Sequence, residues 1–186
     1  MDVFLEYLMR KKASGADWLK KLGLVLATLI VCMLVLMFFP MLGKFMAAYT
    51  LFAIAAVVYG MGVLMRNFNL EYEYIYTNGD LDIDIVKAQK TRKRMTSLKC
   101  KNIELMASDT NNEFKREFTN ESISKRFNAV YDPAQGGIYH ALFFHDGERM
   151  VLTFQPPKKL LDAMKKMNPR CIHIDEADVL KDESAE

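Results

Sequence analysis

The chain has 186 residues, 51% of them hydrophobic and 26% charged, with a formal net charge of +2; the averages suit one soluble domain, but the placement of the charges excludes that reading. Between residues 22 and 65 the only charged side chain is Lys44, a run that far exceeds one bilayer crossing and accommodates two, at about 20 helical residues each. Residues 66–186 suffice for one small domain and carry nineteen bases against twenty acids, which excludes a nucleic-acid partner recognised by neutralising phosphates.

Residues 1–21 read as a cytosolic, amphipathic N-terminal segment. Phe4, Leu5, Leu8 and Met9 stand at helical spacing ahead of Arg10, Lys11 and Lys12, which predicts a short helix over 1–12 lying in the headgroup region, with a frayed terminus as the plain alternative. Ser14 and Gly15 break it. Trp18 beside Lys20 and Lys21 suits the aromatic and basic belt of a membrane interface.

Residues 22–66 then read as a helical hairpin, with crossings over about 22–42 and about 45–65. A cleaved signal peptide fits poorly, because its apolar core spans roughly 7 to 15 residues before a small-residue site, whereas here 21 residues precede a longer run followed by Pro40, Met41, Leu42 and Gly43. Five bases before the hairpin and Arg66 after it, against Lys44 in the connection, place both termini in the cytoplasm of a multi-pass cell-membrane protein. Small residues mark the second crossing. Ala56 and Gly60, at i and i+4, form a face for close helix packing, with the first helix as the favoured partner and a second protomer as the other. Neither crossing carries Asp, Glu, His, Lys or Arg, so a proton relay or ion path through it has no such residue to run on. Cys32, Cys100 and Cys171 are an odd, widely spaced set that suits a reducing compartment better than a disulfide framework.

A domain over 67–175 opens on the clearest local signal. Residues 70–77 alternate, Asn78-Gly79 is a two-residue turn, and residues 80–85 alternate again, which predicts a tight hairpin with Tyr72, Tyr74, Tyr76, Leu81, Ile83 and Ile85 on one face. Glu71, Glu73, Asp82 and Asp84 fall on the other. Four carboxylates invite a cation, but Lys99 and Lys101 on the next strand offer ion pairs on a solvated face, so no metal site is predicted. Residues 87–101 hold seven bases and no acid. Within them Lys90, Arg92, Lys93 and Arg94 make a basic loop with two open readings, a contact for anionic lipid headgroups or a protein partner, or a solvated surface.

Past Lys101 the inward parity shifts from Leu98 and Cys100 to Ile103, Leu105 and Ala107, predicting a bulge near Asn102. Residues 108–125 read as a long connection with at most a short helix, residues 127–131 as a strand, and Asp132-Pro133 with Gly136-Gly137 as a turn. A second hairpin turns at Asp146-Gly147, with Tyr139, Ala141 and Phe143 facing Phe154, Leu152 and Met150. His140 and His145 lie on opposite faces of their strand, which defeats joint ligation of zinc. Pro156-Pro157 opens a helix whose stripe is Leu160, Leu161, Met164 and Met167. Residues 176–186 are an acidic tail that reads as mobile.

Antiparallel strands followed by one amphipathic helix is the order of a pleckstrin-homology-like domain. Residues 72–83, Arg92-Lys93-Arg94 and the run to Ile103 resemble the opening of bacterial pleckstrin-homology-like membrane proteins, and residues 150–156 resemble their close. Over about residues 20–175 the chain is similar to a family of small bacterial two-helix membrane proteins. The resemblance implies an α+β membrane protein in which a transmembrane hairpin precedes an antiparallel sheet domain with a C-terminal helical cap. Its motifs are structural, with no catalytic constellation and no cofactor, and fold alone does not settle function. The expected function is a non-enzymatic, membrane-tethered binding or scaffold module that meets a protein partner, a second copy or the cytosolic leaflet; the alternative is an accessory subunit of a transport or envelope machinery.

Overall fold

The computed structural model describes residues 3–175 and residue 179, and the chain divides into a helical unit and a sheet unit. The acidic tail expected over 176–186 lies, apart from Val179, outside the described residues.

The helical unit contains α1 (Gly15–Phe38) and α2 (Lys44–Arg66), joined by a short 3-10 turn at Pro40–Leu42. Ser14 begins α1 rather than merely ending what precedes it: its side chain accepts from the Asp17 N–H while Asp17 reaches back to the Ser14 N–H, so two otherwise orphaned donors are satisfied. At about 1.5 Å per residue, each helix is about 35 Å long, enough for a bilayer core of about 30 Å. Both helices expose most of their large apolar side chains, from Leu22 to Leu64. They pack on each other without the small-residue face, since Ala56 is exposed and a Cβ added at Gly60 would meet nothing within 4 Å.

The sheet unit holds two four-stranded sheets. One contains β1 (Phe4–Arg10), β2 (Leu70–Thr77), β3 (Asp80–Lys87) and β4 (Thr91–Lys99), in that spatial order. The headgroup helix expected over 1–12 is therefore corrected: this segment is a strand antiparallel to β2, with Leu5, Tyr7 and Met9 opposite Tyr76, Tyr74 and Tyr72. The reason is that its apolar residues satisfy both periods. Phe4, Leu5, Leu8 and Met9 suit a helix, while Leu5, Tyr7 and Met9 alternate and find in β2 a complementary apolar face, which an isolated turn of helix lacks.

Asn78 and Gly79 close the β2–β3 hairpin with φ of 50° and 104°, the left-handed pair that a two-residue turn needs. A Cβ at Gly79 would also stand 2.7 Å from Cε of Met167, but that is the far end of a flexible side chain that can move aside, so the positive φ is what calls for glycine. After β4 the chain leaves the first sheet through a 3-10 turn at Cys100–Asn102 and enters the second.

The second sheet has the order β5 (Ile103–Ser108), β7 (Tyr139–His145), β8 (Glu148–Phe154), β6 (Lys125–Asn128). The register shift falls between Ile103 and Leu105, so Ile103 and Met106 reach the main core while Leu105 and Ala107 reach the opposite face. That corrects the expectation of one inward face for Ile103, Leu105 and Ala107. β7 and β8 pair Tyr139 with Phe154, Ala141 with Leu152 and Phe143 with Met150. β6 runs parallel to β8, which makes this sheet mixed where an antiparallel one was expected.

The main core joins Tyr74, Tyr76, Leu81 and Ile83 of the first sheet to Tyr139, Phe143, Leu152 and Phe154 of the second, and α4 (Lys158–Met167) adds Leu160, Leu161 and Met164. Two polar side chains tie it together. The Tyr74 hydroxyl donates to the Ala129 carbonyl at 2.6 Å and accepts from the Gln155 N–H at 3.4 Å. Gln155, fully buried, holds the loop around Asp132 and Gly136. On the outer face of the second sheet, residues 109–124 with α3 (Lys115–Thr119) pack Phe118 against Ala107, Leu142 and Val151, forming a small second core.

Candidate functional site

Of the four bases expected in one loop, only Lys90 lies in a turn. Residues 91–94 are the start of β4, and the turn before it is 87–90, where Ala88 and Gln89 take φ of 52° and 56° and the Lys90 N–H donates to the Lys87 carbonyl. Strand alternation then separates the bases of β4. Arg92 and Arg94 point to the face that carries the carboxylates of β2 and β3, and Lys93 has the opposite parity.

Arg92 Nη1 lies 3.2 Å from Glu73 Oε1, and Arg94 reaches Asp82 Oδ2 at 2.8 Å and Asp84 Oδ1 at 2.6 Å. Glu73, Asp82 and Asp84 thus find their partners in these two guanidiniums rather than in the expected Lys99 and Lys101. A planar guanidinium suits this role because its fork can satisfy two carboxylates at once. Nor is the face solvated as expected. Glu71, Glu73 and Asp84 are buried, and β1, beside β2, sets Arg10 opposite Glu71 and Leu8 opposite Glu73. Lys90 and Lys93 are exposed.

Glu73 is the group most altered by this arrangement. It is 1% exposed, and burial holds its carboxyl above the ordinary value of 4.5; Arg92 opposes that, while a hydrogen bond and charge from Glu6 and the charge of Asp84 add to it. A carboxyl whose pKa is raised on folding binds its proton more tightly in the folded state. Its contribution to stability is therefore complete below the ordinary value and is lost as pH rises through the raised one. The urea midpoint of the sheet unit in the full chain should carry a component that falls as pH rises above the ordinary carboxylate value, and Glu73→Gln should remove that component. Parallel curves for parent and variant would remove Glu73 as the cause.

The arrangement leaves little reactive chemistry on this face. Arg92 and Arg94 are held by carboxylates; the buried thiol of Cys100 lies in the main core instead, where chiefly burial pushes it up to about 12 and suppresses its nucleophilic form. All three cysteines are free thiols.

Two groups outside this face escaped the sequence reading. His140 and Thr153 are direct partners across the β7–β8 hairpin, so their pairing follows from the Asp146-Gly147 turn once its register is counted out. Asp109, which completes their cluster at 3.0 Å from His140 Nε2, comes from a segment with no periodic signal. Gln155 likewise lies beyond local pattern, since its partners are 19 to 24 residues away.

A family model described as "Bacterial PH-like domain (DUF6106)" matches residues 1–174. No curated protein and no solved structure matches the chain. The matched stretch takes in β1, the helix pair, both sheets and α4, and the chain belongs to the bacterial PH-like domain family.

Proposed function

We propose that the protein is a membrane-tethered, non-enzymatic binding or scaffold module, its sheet unit held at the cytosolic face of the cell membrane by a two-crossing hairpin. One observation carries the reading. The helix pair is inserted between β1 and β2, which are hydrogen-bonded neighbours, so the chain leaves one sheet at Arg10 and returns to it at Leu70. With both ends in one folded sheet, an inserted helix pair that enters the bilayer crosses an even number of times, which supports a hairpin independently of the count of bases. The exposed apolar surface of α1 and α2 supports a lipid environment for them, since an apolar area of this extent is not left in water.

In this reading the surface offered to anionic headgroups narrows to Lys90 and Lys93, because Arg92 and Arg94 are engaged by carboxylates. Each exposed base near an anionic leaflet contributes about 1 kcal/mol, enough to orient a tethered unit and too little to recruit a free one.

The topology is tested by labelling single cysteines in a cysteine-free chain with a membrane-impermeant maleimide. Met41, 76% exposed in the connection, is the better site than Gly43, whose φ of 120° disfavours any side chain. Met41→Cys should be labelled in intact cells and Lys93→Cys only after permeabilisation, with the protein retained in membranes washed at alkaline pH. Labelling of Lys93→Cys in intact cells, or release by the wash, would overturn the reading.

A further inference from the structure

We propose that the cavity between the outer face of the second sheet and α3 binds a small organic anion, a carboxylate or phosphate on a short apolar body. The inference stands apart from the anchoring of the helices, because every group it uses belongs to the sheet unit.

The cavity measures about 290 Å³, many times the roughly 30 Å³ that one water occupies and near the lower end of small-molecule sites. Val151 and Thr153 of β8 and His140 of β7 form its floor, Phe118 and Thr119 of α3 roof one side of it, and the rest is open to solvent. Its walls are held by bonds that need no ligand. Arg126 donates from Nη1 to the Phe118 carbonyl and from Nη2 to the Asn120 carbonyl, pinning one end of the roof. Phe118 is itself anchored in the second core and lies 5.1 Å, centroid to centroid, from the His140 ring. Asp109 pins the other end through His140 Nε2 at 3.0 Å. A space kept open by its surroundings rather than collapsed is the condition for binding without a reorganisation cost.

Charge selects the ligand. Lys115 and Arg126 line the cavity with two positive charges against one carboxylate, Asp109, which His140 already engages. The excess is positive, while Phe118 and Val151 favour an apolar body beneath the charged end.

Asp109, His140 and Thr153 also stand in the order of a catalytic relay, with Thr153 Oγ1 2.9 Å from His140 Nδ1. Thr153 lies within β8, whose two edges are spent on β6 and β7, so the backbone amides that would hold an oxyanion are already committed to the sheet. In the site proposed here the relay fixes the ring and the hydroxyl as a rigid polar floor.

The test is nuclear magnetic resonance on the full chain in detergent micelles, following the Thr153 and Val151 methyl groups and the His140 ring. The probes are phenyl phosphate and benzoate, with benzyl alcohol as the neutral control and phosphatidic acid added to the micelles as a separate arm. The anions should give saturable shifts at these residues. Lys115→Gln, an exposed change that leaves both cores intact, should weaken them about tenfold, the effect of one charge-assisted contact. Thr119→Phe should abolish them by filling the cavity. Phosphatidic acid shifting the same resonances would identify the anion as a lipid headgroup, and phenyl phosphate acting alone would identify a free solute; both place an anion in this cavity. Absence of saturable shifts from every anion, equal shifts from benzyl alcohol, or parental affinity in Lys115→Gln would overturn the proposal.

Discussion

Leu161→Asp should abolish the tertiary structure of the sheet unit, and Leu161→Ala should lower its stability by about 2–5 kcal/mol. Leu161 is fully buried, and with Leu160 and Met164 it forms the stripe by which α4 covers the main core. Alanine leaves a cavity against close-packed neighbours, whereas aspartate puts an unpaired charge where nothing can solvate it, a far larger cost than a domain of this size can absorb. Lys166→Ala, on the exposed side of the same helix, should be nearly neutral and so separates loss of burial from loss of helix. The readout is near-ultraviolet circular dichroism of the full chain in micelles. Tyr72, Tyr74, Tyr76 and Tyr139 are buried in the sheet unit, so their signal reports its packing, while the far-ultraviolet signal is dominated by α1 and α2. A Leu161→Asp protein with the parental tyrosine signal and melting curve would show that α4 does not cover a core.

Gln155→Leu should cost about 3–6 kcal/mol although it keeps the size of the side chain, since each buried polar group left without a partner costs about 1–3 kcal/mol. Oε1 of Gln155 accepts from the Tyr131 and Asp132 N–H groups at 2.9 and 2.7 Å, and Nε2 donates to the Asp132 and Gly136 carbonyls at 2.6 and 2.7 Å. One amide thus replaces the ladder that the loop between β6 and β7 lacks. The loss should be local as well as global. Amide exchange at Tyr131 and Asp132 should accelerate toward that of an open loop before the rest of the sheet is affected. Unchanged protection of both amides in the variant would mean that other groups hold the loop.

The elements that chain order makes legible are those whose partners lie close by. The β7–β8 hairpin has its register set by Asp146 and Gly147, with φ of 50° and 82°, and three aromatic or apolar pairs follow by counting outward. The stripe of α4 is visible for the same reason, its buried residues recurring within two turns. The basic run was legible as composition only: its loop reading failed because a strand's alternation cannot be heard where polar residues occupy both faces, and Arg92 and Arg94 needed the carboxylates of two other strands to disclose their side.

By itself the sequence determined that the chain contains two helices long and apolar enough to span a bilayer, two tight hairpins and a capping helix, since each depends on composition or on contacts within a few residues. Tertiary structure alone decided the rest. β1 is a strand because β2, more than sixty residues later, offers Tyr72, Tyr74 and Tyr76 to its Leu5, Tyr7 and Met9. β6 is parallel to β8 because it joins that strand's free edge rather than a hairpin. Asp109, from an aperiodic segment, meets His140 only once residues 109–124 fold over the outer face of the second sheet. In each case the local pattern permits more than one conformation, and the choice falls to whichever buries apolar surface and satisfies backbone groups against a distant partner, a free energy that no short window of sequence contains.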